Sequence, residues 1–239
     1  MNLAYDLHHL LWVAADWLYP PVCAGCGRSG ARFCTDCLSQ VEVIQGSLCA
    51  FCGKKTPRGH SVCTRCSTGE VFVDGAASWA VYGGVLREAI HALKYRQDIG
   101  LGEYFGTFLI SLLKTRDWSY DLVLPVPISV ERMKERGYNQ SALLSKPIAE
   151  YSKVAHSTKT LLRVKETGTQ VKRSKVERDE YLRDASSANP AKLKGKKVLL
   201  VDDIITTGST INHCAKALKE AGANQVMAVA IAKTLRTGS

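Results

Sequence analysis

The chain has 239 residues, 46% hydrophobic and 23% charged, with 32 Lys+Arg against 22 Asp+Glu and a formal net charge of +10. That length builds one or two domains with a substantial core, and the composition excludes a fibre or a wholly disordered chain. No run approaches the roughly 20 apolar residues that a membrane-crossing helix needs, and the positive balance favours a polyanionic or phosphorylated ligand.

In residues 1–18, Leu3, Leu7, Leu10, Leu11, Ala14 and Leu18 recur at helical spacing until Pro20 and Pro21 stop the pattern. The segment has no basic leading region and carries Asp6 and Asp16, so it reads as an amphipathic helix packed on its own protein rather than as a secretory signal. The cytoplasm is therefore the expected compartment, where thiols stay reduced.

Eight of the nine cysteines fall between Cys23 and Cys66 as four CxxC pairs: Cys23/Cys26, Cys34/Cys37, Cys49/Cys52 and Cys63/Cys66. Two thiolates on one tight turn face a single ion, and two such turns close a tetrahedral four-sulfur shell suited to Zn²⁺. Gly27 and Gly53 follow the second cysteine of their pairs, where positive φ lets the turn fold back. The pattern repeats, which implies two zinc ions. Spacing leaves sequential and interleaved pairing open, with sequential closure preferred, and iron–sulfur ligation is the competing chemistry. Eight thiolates leave no open coordination position, so the metal is expected to be structural and to help fold a segment poor in large apolar residues. Arg28, Arg32, Lys54, Lys55, Arg58 and Arg65 read either as a nucleic-acid contact or as solvated surface.

From about residue 71 strand-like and helix-like segments alternate, which predicts an α/β fold with a mostly parallel sheet. Residues 71–82, 121–129, 197–201 and 225–233 read as strands; 84–95, 102–115, 139–152 and 209–222 read as helices, with Pro147 a possible kink in the third. Cys214 reads as a small core residue. Arg132, Lys134 and Arg136 are placed in a loop after the second strand, where three cations suit a concentrated anion. Lys94, Tyr95 and Arg96 end a helix, where the dipole already favours cations.

The most informative stretch is 201–210, VDDIITTGST. A hydrophobic strand delivers Asp202 and Asp203 at its carboxyl end, and a short turn then opens a helix. Thr206, Thr207, Ser209 and Thr210 add hydroxyl donors to the helix amino terminus, and Gly208 lets the backbone close around an anion. Ligands of open α/β sheets sit beyond the strand carboxyl ends, so the two acids would lie beside a phosphate and accept from sugar hydroxyls. Helix capping alone needs fewer polar groups than this turn contains.

Residues 201–210 resemble the phosphoribosyl-pyrophosphate signature of type I phosphoribosyltransferases. Together with the CxxC pairs, Pro125 and Pro127, and the run from Arg136 to Gln140, the chain from about residue 20 to 236 resembles the ComF (ComFC/GntX-type) competence-associated family. The resemblance implies a phosphoribosyltransferase-like domain over 71–239 behind a zinc module over 1–70. It implies that Asp202 and Asp203 hold the ribose, that 206–210 cradle the 5′-phosphate, and that Arg132, Arg136, Asn139 and Gln140 flank the pyrophosphate, with Mg²⁺ as cofactor. Residues 159–197 carry twelve Lys/Arg against five Asp/Glu and correspond to a hood over that site, with Gln170, Ser174 and Arg178 at the family intervals. Arg173, Tyr181 and Ser186 depart from the family pattern there. Two functions stay open: phosphoribosyl transfer to an unassigned acceptor, and non-catalytic handling of single-stranded DNA in natural transformation with a helicase-type partner. A third, a regulator of nucleotide metabolism whose ribbon mediates dimerisation, leaves oligomeric state open.

Overall fold

The computed structural model describes residues 21–96, 98–163 and 186–235. The expected helix over 1–18 and the hood positions Gln170, Arg173, Ser174, Arg178 and Tyr181 lie outside those residues. The strands are β1 (Gly75–Val81), β2 (Leu122–Pro125), β3 (Ala155–His156), β4 (Leu161–Arg163), β5 (Ser186–Ala188), β6 (Lys197–Ile205) and β7 (Gln225–Lys233). The helices are α1 (Thr35–Ser39), α2 (Thr64–Thr68), α3 (Gly84–Tyr95), α4 (Gly100–Lys114), α5 (Val130–Arg136), α6 (Gln140–Ser152) and α7 (Ser209–Glu220).

Five strands form one parallel sheet in the order β1-β7-β6-β2-β3, while β4 and β5 pair antiparallel on their own. The central strands β6 and β7 are apolar almost throughout because both of their faces are covered. Helices α3, α4 and α6 pack on one face around Leu93, Phe105 and Leu144. Helix α7 closes the other through Ile211, Cys214 and Leu218, so Cys214 is the core residue expected.

Three boundaries differ from the sequence reading. Strand β1 starts only at Gly75, because the preceding segment instead docks on α7: the Phe72 amide donates to Asn212 Oδ1 (2.8 Å) and Asn212 Nδ2 donates to the Glu70 carbonyl (3.0 Å). Strand β2 ends at Pro125; one more amide, that of Val126, donates to the Val201 carbonyl (2.8 Å) before Pro127 offers no donor. The basic run expected as a loop is the two-turn helix α5, whose Ser129 Oγ accepts from the Arg132 amide and whose end is capped by Gly137 at φ 79°.

Pro147 lies inside α6 without dividing it, and its ring is housed by a glycine of α4. A Cβ on Gly106 would approach Pro147 Cγ to 2.5 Å, and one on Gly102 would approach Leu143 Cβ to 2.5 Å. The two helices thus meet almost backbone to backbone.

The cysteine-rich segment shares the sheet domain's core. Phe33 packs edge-on against Phe105 (5.6 Å between centroids), with Tyr104 tilted beside it at 6.3 Å. The linker between the two cysteine repeats runs along β1, with the Ile44 amide donating to the Trp79 carbonyl (3.0 Å) and the Val81 amide to the Glu42 carbonyl (2.8 Å). That pairing covers an edge strand that would otherwise offer unpaired backbone groups.

Gly106→Ala should destabilise the protein. Overpacking costs about 1–3 kcal/mol, more than the roughly 1 kcal/mol that alanine returns in helix propensity. Thermal unfolding should show a lower melting temperature for Gly106→Ala, while alanine at the exposed Ser111 on the same helix should leave it unchanged.

Candidate functional site

The thiols assemble sequentially, with Cys23, Cys26, Cys34 and Cys37 in one cluster and Cys49, Cys52, Cys63 and Cys66 in the other, all sulfurs of a cluster lying within 4.8 Å of one another. The two repeats fold alike. In the first, the Gly27 amide donates to the Cys23 carbonyl and the Cys23 amide to the Arg28 carbonyl; in the second, Gly53 donates to Cys49 and Cys49 to Lys54, at 2.7–2.8 Å throughout. Gly27 and Gly53 take the positive φ their turns require, 79° and 66°.

Sulfur spacing fits one tetrahedral ion in each cluster. Bonds of about 2.3 Å place tetrahedral sulfurs on edges of roughly 3.8 Å, whereas a disulfide needs about 2.05 Å. The closest pairs, Cys23–Cys37, Cys26–Cys34 and Cys52–Cys63, lie at 3.6–3.7 Å. A single tetrahedral ion fits each shell, whereas a multi-iron cluster, which spreads its ligands around several metals, does not. In the free thiols burial pushes Cys23 and Cys49 up, but backbone amides acting together, from Cys34, Cys26 and Gly25 on the first and from Cys63, Cys52 and Phe51 on the second, outweigh it and hold them at about 6 and about 7. Burial raises Cys37 and Cys66 instead, so each cluster must release protons when a divalent ion closes it. The spare His60 belongs to neither cluster.

Of the basic ribbon residues, Arg28 pairs with Asp36, Arg32 with Asp98 at 2.8 Å, and Lys55 loosely with Glu42 at 3.9 Å. Those partners neutralise part of the ribbon surface offered to a polyanion.

Strand β6 does not end before the acids but runs through them to Ile205. Along it Leu199 and Val201 face one core, and Val198 and Leu200 the other. Past the acids the phase slips by one, for Ile204 packs on the first core and Ile205 on the second. Both carboxylates accordingly find partners on the α3/α6 side. Ser141 Oγ donates to Asp202 Oδ1 (3.0 Å), and Lys94 Nζ stands 2.8 Å from Asp203 Oδ2. The Lys94 contact is an ion pair without hydrogen-bond alignment, since the same oxygen has no hydrogen-bond donor.

Asp202 and Asp203 are only 8% and 4% exposed. Burial, then the neighbouring Asp203 charge, pushes the Asp202 carboxyl up to about 7; the Asp203 amide, the Ser141 hydroxyl and Lys94 pull it partly back. Immediately after the strand, Gly208 takes φ 82° at the cap of α7 and, having no side chain, contributes no cap hydrogen bond of its own. The Ser209 amide donates to Thr207 Oγ1 (3.3 Å), so the hydroxyls of Thr206, Thr207, Ser209 and Thr210 surround a turn that is at least partly exposed. A cavity of about 260 Å³ opens between this turn and Phe51, Cys52 and Cys66 of the second ribbon.

The residues expected around pyrophosphate divide. Arg132 and Lys134 lie exposed on α5. Arg136 turns inward: Nη1 donates to Gln140 Oε1 (3.0 Å), Nη2 donates to the Tyr95 hydroxyl (2.9 Å), and the guanidinium lies 4.7 Å over the Tyr95 ring. Gln140 is buried as its partner, and Asn139 caps α6, accepting from the Ser141 amide while donating to the Val126 carbonyl (both 2.9 Å). The sequence reading undervalued Lys94 and Tyr95 and missed Ser141. The end of an amphipathic helix leading toward the acid turn was the only local signal for the first two.

A parallel sheet with paired acids in the carboxyl-terminal part of a central strand and a glycine-capped helix after them defines a phosphoribosyltransferase-like domain, preceded by a double zinc ribbon. Residues 14–67 match the double zinc ribbon domain and residues 142–238 the phosphoribosyl transferase domain. The chain is 29% identical to the competence protein ComFC of Bacillus subtilis over 201 residues, covering 80% of this chain and 79% of that one. It is 27% identical to competence protein F of Haemophilus influenzae (84% and 90%) and 31% identical to the DNA utilization protein YhgH of Salmonella typhi over 196 residues (79% and 85%). The chain belongs to the ComF (ComFC/GntX-type) family of phosphoribosyltransferase-like proteins. No helix among the described residues is long and apolar enough to cross a membrane.

Two outcomes follow from these geometries. Elemental analysis should find two zinc ions per chain, falling to one in Cys34→Ser. Asp202 binds its proton more tightly folded than unfolded, because its folded value of about 7 exceeds the ordinary 3.8. Its contribution to stability is therefore complete below about pH 4 and lost as pH rises through 7. Asp202→Asn keeps the Oδ1 acceptor and should raise the melting temperature of ligand-free protein at pH 8 by roughly 5 °C, on the order of 2 kcal/mol. The gain should vanish at pH 4 in thermal unfolding.

Proposed function

We propose that the chain binds 5-phosphoribosyl 1-pyrophosphate with Mg²⁺ at the β6–α7 turn and acts in the handling of DNA taken up by the cell. Residues 1–70 serve as the ribbon module and 71–239 as the ligand-binding domain. The observation carrying the ligand assignment is the pair of buried acids set against a helix amino terminus that a glycine caps. The α7 amides and the hydroxyls of 206–210 hold the 5′-phosphate, and Asp202 and Asp203 accept from the ribose hydroxyls. The acids suit a hard cation sharing oxygen ligands with the diphosphate, because Asp203 Oδ2 lacks a hydrogen-bond donor and Asp202 resists ionisation without added positive charge. Bound there, Mg²⁺ neutralises charge on the diphosphate. Lys94 supplies fixed positive charge beside the acids, and Arg132 offers an exposed cation from α5. The DNA context is supported by the relatives named for competence and DNA utilization.

Transfer of the phosphoribosyl group to a nitrogen acceptor, with loss of pyrophosphate, is the chemistry such a site performs when complete. One observation favours a binding role without turnover: Arg136 is held by Gln140 and Tyr95 rather than facing a leaving group. In that reading the site senses ligand while the protein handles single-stranded DNA beside a helicase-type partner.

Calorimetry with the donor and Mg²⁺ should give at least tenfold weaker binding for Asp202→Asn/Asp203→Asn than for the native chain. Equal affinities would overturn the ligand assignment. Pyrophosphate release across a panel of bases and amines separates the enzyme from the binder, and salt-dependent retention of single-stranded DNA reads the nucleic-acid role directly.

A further inference from the structure

Lys233 ends β7, paired with Ile205 on one side and Val81 on the other, and is only 3% exposed. Its Nζ donates one long hydrogen bond, 3.4 Å, to the carbonyl of Thr206. An ammonium buried this deeply with a single neutral acceptor costs several kcal/mol unless anions lie close. The thiols of Cys52, Cys49, Cys63 and Cys66 lie within electrostatic reach of it and, as thiolates, favour its charged form. Its stem lies against the turn of that same cluster, where a Cβ on Gly53 would meet Lys233 Cδ at 3.7 Å and Cε at 4.0 Å. One zinc ion with four thiolates carries a net charge of about −2, which compensates the buried ammonium.

The cluster touches the phosphoryl turn a second time, since a Cβ on Gly208 would lie 3.9 Å from Cys52 Cβ. The ribbon is itself anchored to the sheet at this point by the Ala76 amide, which donates to the Ala50 carbonyl (2.8 Å). Both ends of the 206–208 turn are thereby in reach of one metal centre: Thr206 through Lys233, Gly208 through Cys52. The first centre has no such path, because its cysteines Cys23 and Cys37 pack into the core with Phe33, which lies against α4.

We propose that Lys233 is a positioning residue that couples the Cys49/Cys52/Cys63/Cys66 metal centre to the 206–208 turn, so that metal in the second ribbon holds the backbone that receives the ligand. The coupling makes the two zinc ions unequal, one supporting the helical face and the other the ligand turn. It rests on the phosphoryl reading of that turn only for its effect on affinity.

The test compares the full-length, zinc-loaded native chain with Lys233→Met, Cys66→Ser and Cys34→Ser. Amide hydrogen exchange over 206–210 should accelerate at least tenfold in Lys233→Met and Cys66→Ser, with exchange in α4 unchanged. Cys34→Ser should leave 206–210 at the native rate. In protein loaded with Co²⁺, the thiolate charge-transfer band should shift in Lys233→Met at unchanged metal content, a change that lost packing alone does not produce. Native exchange at 206–210 in a folded Lys233→Met defeats the proposal. Should that variant not fold, equal rates in Cys66→Ser and Cys34→Ser defeat it instead. Donor affinity should fall about tenfold in Lys233→Met; a native chain that binds no donor refutes the ligand assignment, while the exchange rates still decide the coupling.

Discussion

Asp202 and Asp203 are neighbours in sequence, both nearly excluded from solvent, and turned toward the same side of the sheet. Like charges so placed repel, and burial makes the Asp202 carboxyl harder to ionise. The surroundings respond to that conflict: Lys94 closes on one carboxylate, Ser141 donates to the other, and the Asp203 amide bends back to Asp202 Oδ1 at 2.9 Å. Strand β6 accommodates the pair by slipping phase, which lets two successive side chains leave one face. A core serving only stability has little use for such a pair, and strained polar clusters of this kind concentrate where a ligand completes the balance of charge.

Much of this was readable beforehand because it depends on local geometry. CxxC turns, the glycines after them and the strand–acids–turn–helix order all follow from residues within a few positions of one another, and helix α3 and strand β7 fall where their periodicity placed them. What escaped depends on distance. Arg136 reads as a loop cation, yet its fate is decided by Tyr95, 41 residues earlier. Ser141 reads as the first turn of a helix, and only folding brings it to Asp202. Helix α5 was the exception, since Ser129 and Gly137 mark both of its ends locally; the flanking prolines and the dense charge masked that signal.

The zinc ribbons belong to the same physical unit as the sheet. Phe33 enters the aromatic cluster of α4, residues 42–44 lie along β1, and the second cluster meets the turn before α7. A module that shares a core and a sheet edge with its neighbour is read better as part of the binding domain's framework than as an appendage on a linker. The paired basic residues of the ribbon agree, as several of them serve internal contacts first.

The small ladder of β4 and β5 has a separate implication. Leu161 lies opposite Ala188 and Arg163 opposite Ser186, so the chain leaves and re-enters the body at adjacent points. Holding those points together costs closure entropy that grows only with the logarithm of the length between them, so added length there costs little. The stem thus works as a socket that fixes both ends of the intervening piece on the body.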